Sequence, residues 1–108
     1  MTLSHLITSN TGSLAHSIDG TEVWIRPLSD GTFAAVLLNK LPIEAVVTLN
    51  IASNAYNGGD FYPASFPAAK LRNVYEHKDL GLFVGIYSTL VPAYDAVILK
   101  VYPIAGDV

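Results

Sequence analysis

The densest cluster of proton-moving groups in this 108-residue chain is His77-Lys78-Asp79. An imidazole and a carboxylate two residues apart form a proton-transfer pair when the backbone holds them together. No Ser or Cys nucleophile is placed by sequence to complete such a site. The competing reading is a tight turn between strands, with Asp79 capping backbone N–H groups and His77 packing beside Tyr75. The nine Asp and Glu residues are scattered, and Asp19, Asp30, Asp60 and Asp79 sit beside glycines or in turn-like segments. Asx-type hydrogen bonding to the turn backbone is the expected work of carboxylates so placed.

A second group of residues lies in the stretch Ala52–Ala69, which has neither strand nor helix period and holds two prolines and a Gly pair. Tyr56, Phe61, Tyr62 and Phe66 alternate there with Asn54, Asn57 and Asp60. Aromatic walls with a few polar groups are the usual make-up of a ligand site. Saccharides fit that make-up, because their C–H faces pack on rings while amides and carboxylates bond their hydroxyls. Tyr56, Asn57, Asp60, Phe61 and Tyr62 are therefore the candidate carbohydrate-binding residues. The alternative is that the rings turn inward and anchor a long loop, since aromatics carry large burial energy and loops of this length need hydrophobic anchors.

Other chemistries find little purchase. Three histidines, His5, His16 and His77, are too far apart in sequence for a metal motif, and cysteine is absent, which removes disulfides and thiolate sites. Asn57-Gly58-Gly59-Asp60 follows no strand-to-helix pattern, so no phosphate loop is expected, and no cofactor is implied. Six Lys and Arg against nine Asp and Glu give a net charge of -3. That balance supplies no footprint for nucleic acid and no polybasic membrane patch. The apolar runs are too short to span a bilayer, and Met1–Ile7 lacks a basic start followed by a long apolar stretch, so no signal peptide is read. The compartment stays open. Charged residues make up only 14% of the chain, against about 25% in an ordinary soluble domain. An apolar face for a partner domain or for a second copy of the chain is one consequence of so low a charge.

The elements that must hold these groups are short strands. Asp19-Gly20, Asp30-Gly31, Gly58-Gly59 and Leu80-Gly81 punctuate the chain, and six prolines leave no uninterrupted apolar helix period. Strands are predicted at 21–28, 32–39, 45–51, 70–76, 82–90 and 95–102, with 13–18 as a seventh. The first two are joined through Asp30-Gly31, a hairpin signal. Trp24, the one tryptophan, alternates onto the face opposite Val23 and Ile25. It belongs either in the core, where Trp is commonly buried, or at a docking surface beside Arg26. Length and spacing predict one all-β domain over residues 1–108, a β-sandwich of about seven short strands.

Two blocks carry a resemblance. Glu22-Val23-Trp24-Ile25-Arg26-Pro27-Leu28-Ser29-Asp30-Gly31, followed by Val36-Leu37-Leu38-Asn39, resembles the E-V-W-x-R-P-L-x-D-G … A-L-x-N stretch that opens the C-terminal domain of glycoside hydrolase family 27 α-galactosidases. Leu71-Arg72-Asn73-Val74-Tyr75-Glu76-His77-Lys78-Asp79-Leu80-Gly81 resembles the V-R-D-L-W-x-H-K-D-L-G element of the same domain. Phe83, Gly85, Val91-Pro92 and Val97-Ile98-Leu99 are similar to its ending, so the likeness runs over about 20–102. The chain departs from the pattern at Asn73, Tyr75, Ala93 and Tyr94, which stand for Asp, Trp, Pro and His.

The resemblance implies a Greek-key sandwich that packs on a catalytic barrel, with galactoside hydrolysis residing in the barrel. A barrel of roughly 200 residues or more does not fit in this chain. A retaining glycosidase also needs two carboxyl groups about 5–5.5 Å apart, which no motif here supplies. The expectation is a non-catalytic accessory domain whose partner is a catalytic barrel, or another copy of itself through an apolar face. The alternative is an autonomous carbohydrate-binding module that takes galactosides on the 52–69 loop.

Overall fold

The computed structural model describes residues 12–52, 59–62 and 64–104. They form eight strands: β1 Ser13–Ile18, β2 Thr21–Pro27, β3 Phe33–Asn39, β4 Ala45–Asn50, β5 Ala68–Asn73, β6 Lys78–Val84, β7 Ile86–Val91 and β8 Ala96–Ile104. Every pairing is antiparallel. Six strands make one sheet in the order β1-β2-β3-β8-β5-β6, and β4 pairs with β7 in a second. The chain leaves the large sheet after β3 and again after β6, returning each time, so β8 lies between β3 and β5. That is an antiparallel Greek-key β-sandwich of eight strands: the turn spacing predicts the sandwich, and the family resemblance implies the Greek key.

Alternation decides which residues face the second sheet. From the large sheet Val23, Leu37, Leu71, Leu99 and Val101 point inward and are buried, and Val47, Leu49 and Val91 meet them from β4 and β7. Each such side chain contributes about 1.5–3 kcal/mol by leaving water.

The hairpins follow the turn residues. Asp19 and Gly20 take φ of 48° and 88° between β1 and β2, the left-handed pair that a two-residue turn of matching twist requires. Between β2 and β3 the Leu28 N–H donates to the Thr32 carbonyl at 2.9 Å. Asp30 accepts from both the backbone N–H and the hydroxyl of Thr32, the Asx geometry expected of it.

Two expected strands are redrawn. The segment 70–76 starts earlier and ends at Asn73, whose side-chain oxygen accepts from the Glu76 N–H at 2.9 Å and closes a turn. The segment 82–90 is two strands rather than one. Gly85, at φ 82°, bends the chain from the large sheet into the small one. Its carbonyl accepts from the N–H groups of Ile51 and Ala52, and its own N–H donates to the Pro67 carbonyl. Leu80-Gly81 is no break: both residues lie within β6, opposite an irregularity between Leu71 and Arg72.

Candidate functional site

Tyr56 and Asn57 of the candidate saccharide loop lie outside the described residues, as does Asn54. Asp60 and Phe61 point inward. Asp60, 8% exposed, has Oδ1 2.6 Å from His16 Nδ1, and its Oδ2 accepts the Asn50 N–H at 2.6 Å. The Asp60 N–H donates in turn to the Asn50 carbonyl. Its carboxylate thus closes the end of β4 and ties it to β1.

Phe61, 3% exposed, stands edge-on to Phe33 with ring centroids 5.0 Å apart, and Phe66 completes the group at 5.1 Å from Phe61. Phe61 and Phe66 belong to the sandwich core, with Phe33 packed against it. Tyr62 alone of the described loop candidates faces water, at 74% exposure. The anchoring role, set out above as the alternative, is what Asp60, Phe61 and Phe66 perform here.

His77-Lys78-Asp79 begins in a turn and ends on an edge strand. His77 takes φ 52°. Among the described residues Asp79 caps no backbone N–H group in the way expected of it. It accepts instead from Arg72 Nη1 at 2.7 Å across the β5–β6 pair. Strand pairing places the two side chains directly opposite each other, and that contact replaces the cap.

Trp24 is not in the sandwich core. Alternation puts it on the outer face of the large sheet, where it is half-buried against Val36, Ile98, Leu38 and Ala96. Its indole N–H donates to Glu22 Oε1 at 3.0 Å, and Glu22 Oε2 accepts from Lys40 Nζ at 2.9 Å. The bond from Trp24, then that from Lys40, holds the Glu22 carboxyl below its usual range, with partial burial opposing. The Asp30 carboxyl is likewise lowered, chiefly by the Thr32 hydroxyl and N–H.

The outer face of β4 and β7 carries no charge. Val46 pairs with Leu90, Thr48 with Ser88 and Asn50 with Ile86. Val46, Leu90 and Ile86 are 53–59% exposed. At the centre the Thr48 and Ser88 hydroxyls share a hydrogen bond at 2.7 Å.

Sequence reasoning gave Asn39 no task. Its fully buried amide nitrogen lies 2.8 Å from the Ile43 carbonyl, 3.0 Å from that of Val91 and 3.1 Å from that of Pro92. Its Oδ1 accepts from the Leu41 N–H at 2.9 Å. A polar residue ending an otherwise apolar inward row was the available signal, because such a group must be fully bonded.

No curated protein matches the chain. Among solved structures it is similar to α-galactosidase I of Mortierella vinacea, with a TM-score of 0.73 and 19% identity over 90% of this chain and 24% of that one. It is also similar to a family 27 β-L-arabinopyranosidase of Geobacillus stearothermophilus, with a TM-score of 0.73 and 16% identity over 90% of this chain and 20% of that one. The α-galactosidase of Saccharomyces cerevisiae, with raffinose, aligns with a TM-score of 0.62 and 11% identity over 86% of this chain and 32% of that one. The chain spans a quarter or less of the first two structures and about a third of the yeast enzyme. At these identities the likeness speaks for the fold alone. The family model for the α-galactosidase C-terminal β-sandwich domain matches residues 18–101. The chain belongs to that family of C-terminal β-sandwich domains.

Proposed function

We propose that this chain is a non-catalytic accessory domain that packs on a catalytic barrel and stabilises it. The uncharged outer face of β4 and β7 carries the reading. The solvated side of an antiparallel sheet is ordinarily polar. Here three aliphatic side chains lie open beside a mutually bonded hydroxyl pair, with no charge among the six outward residues. The occupant is argued from length: in the Mortierella enzyme about three quarters of the chain lies outside the matched region.

Four of the nine carboxylates support the non-catalytic half of the reading, because each of these four is committed to a structural bond. Asp60 holds His16 and Asn50, Glu22 holds Trp24 and Lys40, Asp30 holds Thr32, and Asp79 holds Arg72. A saccharide module on the 52–69 loop is the second reading. It retains Tyr62 as its described exposed ring, and the inward Asp60 and Phe61 favour the first.

Reading the gene upstream of the Met1 codon tests the proposal. The expected result is an in-frame segment long enough for a barrel. In that longer protein Val46→Asp lowers the melting temperature, because it buries an unpaired carboxylate at the junction. An in-frame stop codon ahead of Met1, or a Val46→Asp protein that melts unchanged, overturns it.

A further inference from the structure

A cleft of about 470 Å³ opens at the end of the sandwich where the β5–β6 turn faces the β7–β8 connection. Its size falls within the roughly 300–1,000 Å³ of small-molecule sites. Asn73, Tyr75, Glu76, Tyr87, Thr89 and Asp95 supply its polar lining, over an apolar floor that includes Leu80 and Val97. Among the described residues no Lys, Arg or His lines it. We propose that this cleft is a binding site for a single neutral pyranose residue.

The chemistry of the lining selects that class. Glu76 and Asp95 are acceptors, the Asn73 amide nitrogen is a donor, and the Thr89 and Tyr hydroxyls are both. The Asn73 oxygen already accepts the Glu76 N–H, so the amide nitrogen is the group it chiefly offers to a ligand. A sugar hydroxyl, which donates and accepts at once, matches that mixture. An ammonium group would leave the amide unanswered, and an anion would meet two carboxylates. The tyrosines and the apolar floor suit the C–H faces of a pyranose ring.

The walls are built before any ligand arrives. Tyr87 is fixed edge-on against Phe83, with ring centroids 4.7 Å apart. The 92–95 connection is clamped from below by the buried Asn39 amide, which holds the Val91 and Pro92 carbonyls, while the Tyr94 N–H donates to the Leu41 carbonyl. The opposite rim is pinned by the Val74 N–H on the Ile98 carbonyl at 3.0 Å. Among the described residues only three non-glycines adopt positive φ, and two of them lie in the turns that flank the cleft without lining it, His77 at 52° and Tyr94 at 56°. Such conformations persist where the surroundings enforce them, and they gather at ligand sites. Rigid walls spare a ligand the cost of ordering them.

The inference does not rest on the docking reading. Leu90 borders both surfaces, but Val46 and Ile86 are absent from the cleft lining. Titration of the isotope-labelled chain with methyl α-D-galactopyranoside and methyl α-D-glucopyranoside, followed by amide NMR, tests it. Saturable millimolar shifts are expected at Asn73, Glu76, Thr89 and Asp95 with at least one of the two glycosides. Tyr75→Ala and Glu76→Ala each weaken binding by about threefold to tenfold. Both side chains are exposed, so the folded amide spectrum is retained. If either variant unfolds, Glu76→Gln is read in its place and shows the same direction. Absence of shifts with both glycosides overturns the proposal, as do shifts that map outside the cleft or survive the variants. Binding of butylamine at the same amides with no glycoside response overturns the neutral-sugar assignment.

Discussion

Asp60 holds His16 at 2.6 Å across 44 residues of sequence, with the carboxylate buried and the imidazole at the rim. The same carboxylate accepts the last N–H of β4, that of Asn50. Removing it strands a buried donor and frees β1 from the loop. Asp60→Ala is expected to destabilise the chain by about 2–4 kcal/mol, since a bond to a charged group contributes about 1.5–3 and an orphaned partner adds to the loss. His16→Ala, which leaves Asn50 satisfied but removes the partner of one buried carboxylate oxygen, costs less, about 1–2 kcal/mol. Urea denaturation of the three proteins checks the order. Equal losses would show that the Asn50 bond carries nothing.

The Phe33–Phe61–Phe66 group makes a sharper demand. Phe61→Ala opens a cavity between two rings and is expected to cost about 3–5 kcal/mol. Tyr62→Ala, one residue on and facing water, should stay within about 0.5 kcal/mol. Calorimetric melting of both variants decides between an anchoring loop and a solvated one. A mild Phe61→Ala would mean that the loop lies loosely on the sandwich.

How much of this was legible depends on whether the determinant is local. The hairpins at Asp19-Gly20 and Asp30-Gly31 were readable because the turn residues themselves impose the conformation. The break at Gly85 was not, because its partners are Ile51, Ala52 and Pro67, all remote in sequence. Alternation put Trp24 opposite Val23 and Ile25 correctly. It carried no information on the outer cluster with Val36 and Ile98 that covers the ring. The motif blocks turned out to be chemistry as much as packing: the Glu22 and Trp24 of E-V-W bond each other, and the closing Asn39 clamps the 92–95 connection. Asp60 looked like a ligand-binding carboxylate because His16, which occupies it, lies 44 residues away.

Glu22 gives the chain a pH dependence that can be assigned. Its carboxyl is lowered in the folded state by the Trp24 indole and then by Lys40. A lowered acid binds fewer protons folded than unfolded. Its contribution is therefore complete above the ordinary Glu value of about 4.3 and fades as pH falls through the folded value. Glu22→Gln keeps an acceptor for the indole but loses the charge. It should melt below the parent at pH 7, with the gap closing in acid below the ordinary range. Melting curves from neutral to acid pH measure it, and a gap that persists unchanged at low pH assigns the loss to packing.

Gly20 and Gly85 share a positive φ, 88° and 82°, but not their surroundings. A side chain at Gly85 meets open space, whereas a Cβ at Gly20 would lie 2.5 Å from a Leu41 methyl. Gly85→Ala therefore carries only the left-handed backbone cost of about 1–2 kcal/mol. Gly20→Ala adds displacement of Leu41, whose backbone N–H is held by Asn39 and whose carbonyl is held by Tyr94. The expected loss is about 2–4 kcal/mol, the overpacking cost added to the strain. Because Leu41 is tied to the 92–95 connection, Gly20→Ala should also move the amide resonances of Tyr94 and Asp95, and Gly85→Ala should leave them in place. Paired melts and amide spectra of the two variants separate strain from displacement. Equal losses with unmoved Tyr94 and Asp95 amides would mean that Leu41 yields freely and the clamp ends at Asn39.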